Sequence, residues 1–86
     1  MRVAFIHFKE PIDEESMLKA IKIMPGEQIE LSVDAEAEVV ACSAQHEERI
    51  IEAVVNLGNK YLGTRYRKMR RDRVERLFRE DYVITI

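Results

Sequence analysis

A chain of 86 residues has room for one core and one domain, residues 1–86, because chains this small bury only about 60–65% of their unfolded surface. With 47% hydrophobic and 35% charged residues the composition is globular, and a single cysteine excludes an internal disulfide and a multi-cysteine zinc cage. A net charge of −2 gives no overall pull towards nucleic acid, and no apolar run approaches the ~18–20 residues of a membrane span.

The apolar run Val3–Phe8 contains His7 and meets Lys9, Glu10 and Pro11, which is unlike a secretion signal, so the expected setting is cytoplasmic and reducing. Arg2–Phe8 is rich in β-branched and aromatic residues and predicts a strand. Val3 and Phe5 fall on one face, Ala4, Ile6 and Phe8 on the other, as in a strand covered on both sides. Asp13 is placed to cap the following helix, with Glu14 and Glu15 in its first turn. Met17, Leu18, Ala20, Ile21 and Met24 share one helical side, and Pro25-Gly26 marks the stop.

Ile29, Leu31 and Val33 alternate with Glu30, Ser32 and Asp34, the pattern of a half-exposed strand. A turn at Asp34-Ala35-Glu36 leads to a strand over Glu38–Cys42, apolar on both faces through Val39, Val40, Ala41 and Cys42. Ser43 offers an N-cap, and apolar residues from Ile50 to Leu62 predict a helix over roughly 45–62 with Gly58 at a packing point. The competing reading ends that helix at Leu57, with Gly58 as its C-terminal cap. Tyr66–Arg79 predicts a third helix and Tyr82–Ile86 a closing strand.

The predicted order is β-α-β-β-α-(α)-β, a ferredoxin-like α+β two-layer sandwich with an extra basic helix before the last strand. In that topology the first and third strands are central, and those are the two that read as apolar on both faces. Helices would cover one face of the sheet. The third helix or a second subunit is then expected on the other.

Near-zero net charge hides an asymmetry. Residues 1–59 carry five basic and twelve acidic groups, a balance of −7, and residues 60–86 carry nine and four, a balance of +5. Helical spacing pairs Lys68–Asp72, Arg71–Glu75, Asp72–Arg76, Glu75–Arg79 and Arg76–Glu80. Arg65, Arg67, Arg70 and Arg73 have no such partner and are the candidate binding residues, for carboxylates of residues 1–59, a second subunit, or phosphates. An RNA-recognition sheet carries stacking aromatics on its third strand, and Glu36–Cys42 has none.

No catalytic signature stands out. Cys42 and His46 could lie together at a helix start, but no third group orients the histidine, and the two make half a metal site at best. His7 reads as a packed or edge-of-face histidine. The acidic runs 13–15 and 47–48 lack the alternating carboxylates and turn glycine of a calcium loop, and three glycines leave no phosphate-cradling loop. No cofactor or metal is implied. Few Asn and Gln among many charges is a balance common in thermophile proteins. The sequence-level expectation is a small non-catalytic module acting by self-association, as a homodimer, or by docking another protein. Nucleic-acid binding through the basic stretch 65–79 is the alternative.

Overall fold

Arg2–Phe8 forms the first strand, β1, as its β-branched and aromatic content predicts. It opens a computed structural model that describes residues 1–34, 36–78 and 82–85. Asp13 caps helix α1 (Glu14–Ala20), accepting from the Ser16 amide at 3.4 Å and the Ser16 hydroxyl at 2.9 Å. Those hydrogen bonds hold its carboxyl below the usual range. The helix does not reach Pro25-Gly26. Ile21 is already extended, with ψ at 126°, so Met24 leaves the apolar face and is 66% exposed.

Strand β2 (Gln28–Val33) follows the expected alternation over Gln28–Leu31, and β3 (Val39–Ser43) is buried on both faces through Val40, Ala41 and Cys42, as its sequence predicts. Asp34 organises their connection: its Oδ1 accepts from the amides of Glu38 at 2.8 Å and Val39 at 3.0 Å. The predicted turn runs through residue 35, which lies outside the described residues. A 3₁₀ turn (Ala44–His46) then precedes helix α2 (Glu47–Asn56), and Ser43 makes no side-chain capping bond.

The predicted helix over 45–62 is corrected at both ends, and the reading that stops it before Gly58 holds. The Gly58 amide bonds to the Val55 carbonyl at 2.9 Å and the Asn59 amide to the Val54 carbonyl at 3.4 Å. This pair of bonds is a Schellman ending. Gly58 sits at φ +95°, a conformation that penalises any Cβ.

The larger correction concerns the third predicted helix. Tyr61–Lys68 is a strand, β4, and only Arg71–Phe78 is helical, as α3. The expected continuation to residue 79 lies outside the described residues. The closing strand is β5 (Tyr82–Thr85), with residue 86 again outside them. Five strands make one sheet in the order β4-β1-β3-β2-β5, and every neighbouring pair is antiparallel. The strand beside β1 is thus residues 61–68, and the closing strand lies at the far edge, next to β2.

The result is a small α+β domain. Pleating sends Ala4, Ile6 and Phe8 to one face with Ile29, Leu31, Val40 and Cys42, where they pack on Met17 of α1 and Ile50, Ala53 and Val54 of α2. Burying side chains of this size contributes about 1.5–3 kcal/mol each, so this layer dominates stability. On the other face Val3 and Ala41 pack on Val74 of α3, with Met69 and Phe5 partly buried beside them. The two strands expected at the centre are central. The third helix covers part of the second face.

Candidate functional site

Cross-strand register decides what the second face presents. Val3, Phe5 and His7 of β1 point there, opposite Arg67, Arg65 and Gly63 of β4 on one side. On the other side they meet Ser43, Ala41 and Val39 of β3. Because α3 reaches the sheet through Val74 against Val3 and Ala41, the Val3 row is covered. Phe5, His7 and Val39 are only half-buried. They line an open depression of about 360 Å³ together with Arg65, Tyr66 and Arg67.

A second depression of about 230 Å³ follows along the chain, lined by Lys68, Met69, Arg70, Asp72, Arg73 and Arg76. Five of those six residues are charged, and the one carboxylate, Asp72, is matched to Arg76 at 3.9 Å. Arg71 pairs with Glu75 at 3.7 Å. Both are predicted helical pairs. Lys68 lies on β4, so its predicted pairing with Asp72 is not made, and the remaining two pairs involve residues 79 and 80, outside the described residues.

The four candidate arginines are therefore divided between a strand and a helix instead of following one predicted helical stretch. Arg65 and Arg67 stand on the second face of the edge strand, Arg70 precedes α3, and Arg73 lies within it. All four are exposed, and among the described residues none has its guanidinium paired with a carboxylate. The expected neutralisation by carboxylates of residues 1–59 is not what the fold provides. Three of those carboxylates pair with cations of the same part of the chain: Glu15 with Lys19 at 3.1 Å, Glu52 with Lys22 at 3.2 Å, and Glu27 with Arg49. Glu47 accepts from the Tyr66 hydroxyl, whose ring carries the Arg2 guanidinium 3.9 Å from its centroid. That chain of contacts ties the helix side of β4 to β1 and α2 and leaves Arg65 and Arg67 free on the opposite side.

Cys42 is fully buried in the first core, and burial, with Glu47 nearby, pushes its thiol up to about 12. A thiol in that state is not a nucleophile at neutral pH. His46 is 7% exposed, and burial, with Arg49 beside it, lowers its pKa. Its Nε2 lies 3.3 Å from Gln45 Nε2, and its Nδ1 is buried without a partner among the described residues. Among the described residues no group of three or more His, Cys, Asp or Glu is arranged to hold a metal ion, and no helix is long and apolar enough to cross a membrane.

Phe5 and His7 belong to the open face; His7 sits at the edge of it, within the packed or edge-of-face reading, and neither was a candidate binding residue from the sequence. The available signal was the parity of Val3, Phe5 and His7 on one side of β1. Compared with protein-family models, curated proteins and solved structures, the chain matches none of them.

Proposed function

We propose that this chain binds nucleic acid through the open, basic part of its sheet. The observation carrying the reading is the set of four exposed arginines, unpaired with carboxylates among the described residues, gathered around and next to a half-open sheet face. Unneutralised guanidinium groups concentrated on one side of a molecule attract phosphate and release counterions on contact. Net charge does not oppose this, because the acidic groups of residues 1–59 lie mostly on other elements and are partly engaged with local cations. We read the fold beneath the site as ferredoxin-like, on the support of the order β4-β1-β3-β2 and of two helices on one face, extended by α3 and β5. A cytoplasmic setting suits such a role.

Self-association is the second reading, favoured by the −7 and +5 split of the chain. A twofold dimer through the open face is unfavourable, since an isologous interface sets this one-signed patch against itself. The version that remains sets the basic face of one copy on the acidic side of another.

The test is fluorescence anisotropy with labelled RNA and DNA oligonucleotides, run beside size-exclusion mass measurement. The nucleic-acid reading expects salt-sensitive binding that poly-glutamate does not compete away. A protein that ignores oligonucleotides yet runs as a dimer or larger, dissociating in salt, supports self-association and refutes the first reading.

A further inference from the structure

Granted that reading, the open face also specifies which form of nucleic acid it takes. We propose that the ligand is single-stranded, with an unpaired base lying on the Phe5–His7 platform beside Gly63 while successive phosphates meet Arg65 and Arg67.

Phe5 and His7 are two residues apart on β1, so their side chains project from the same face, with Cα atoms about 6.8 Å apart. α3 covers Val3 but stops short of enclosing these two, which stay half-buried above the 360 Å³ depression. That volume is at the small end for ligand pockets, of a size for a flat base and not for a duplex. Gly63, opposite His7 on β4, adds no side chain, and a Cβ built there would meet nothing within 4 Å. The flank of the imidazole is therefore open towards the sheet edge. Gly63 holds φ +144°, which disfavours replacement by a bulkier residue.

Arg65 lies opposite Phe5 and Arg67 opposite Val3, so both guanidinium groups rise beside the platform on one strand edge. Arg65 and Arg67 are anchored at Cα atoms about 6.8 Å apart along β4, within reach of neighbouring phosphates of an extended single strand. Aromatic stacking with a cationic track is the usual means of holding single strands without sequence readout. A duplex keeps its bases stacked on one another and presents only phosphates to such a face. It leaves Phe5 and His7 unused.

The probe is an RNA dodecamer carrying 2-aminopurine, measured alone and annealed to its complement at the same salt. The expected result is tenfold or greater preference for the single strand, with quenching of the 2-aminopurine on binding. Phe5→Leu and His7→Ala should each weaken single-strand binding about fivefold or more, with an unchanged salt slope. Phe5→Leu keeps an apolar side chain beside Val74, and thermal melts monitor folding. If that variant unfolds, His7→Ala and the quenching in wild type decide. Equal affinity for duplex and single strand, or full affinity in His7→Ala without quenching, overturns this proposal and leaves phosphate binding standing. Failure to bind either form removes both.

Discussion

Reversing Arg65 and Arg67 together isolates the charge of the open face from its architecture. Both side chains are exposed, neither has a carboxylate partner among the described residues, and they stand at the outer edge of the sheet. Arg65→Glu/Arg67→Glu should therefore fold like the parent, with a melting temperature within a few degrees. Its binding should weaken and lose half of its salt dependence. For a single strand each phosphate contact adds about 0.7 to the log–log salt slope, so four arginines give a slope near −3. Affinity of the parent should then fall about 50-fold between roughly 50 and 200 mM salt. With two contacts left the slope should drop to about −1.4 and the same change of salt should cost only about sevenfold. Anisotropy titrations over a salt series, paired with circular-dichroism melts, give both quantities. A folded double variant with the parent's affinity and slope would refute the argument. So would a double variant that melts far below the parent, since that result means the two arginines are structural partners after all.

Three further outcomes follow from the geometry. Asp34→Ala leaves the Glu38 and Val39 amides without their acceptor and should cost about 2–4 kcal/mol, while Asp34→Asn, which keeps an oxygen, should cost about 1, both read from chemical denaturation. Burial holds His46 below its ordinary 6.5, so the unfolded chain takes up that proton first, and stability should fall as pH drops from 6.5 towards the folded value, then level off. The slope is at most about 1.4 kcal/mol per pH unit for one group, and His46→Gln should remove it; an unchanged pH profile in that variant refutes the assignment. With its thiol at about 12 and no exposure, Cys42 should alkylate at pH 7 only as fast as the protein unfolds, and rapid native-state labelling contradicts the buried placement.

Strands covered on both faces were legible because burial writes itself into both parities, as Val3 and Ala4 or Val40 and Ala41 show. The edge strand β4 was not. Tyr61–Lys68 is exposed along most of its length, so no apolar alternation marks its period, and Gly63 interrupts it. Its charges also fitted helical pairing, as Lys68 and Asp72 did. That misreading scattered the site: two residues apart on a helix lie about 200° round the axis, whereas on a strand they share a face. Arg65 and Arg67 were named from their lack of partners, but their common side with Phe5 and His7 depended on the strand. Met24 shows the opposite failure, since its spacing fits a helix that Ile21 has already ended.

The sheet order also governs how this chain comes into being. β1 finds its two partners late, at Val39–Ser43 and at Tyr61–Lys68, so its ladders close loops of very different length. Among the described residues only β2 and β3 form a local strand pair. During synthesis at about 5–20 residues per second, a segment apolar on both faces waits roughly 3–12 s before Lys68 emerges to pair with Arg2. Until then Val3, Ala4, Ile6 and Phe8 have no complete shelter. High contact order of this kind slows folding and leaves β1 exposed to wrong pairings until β4 has been made.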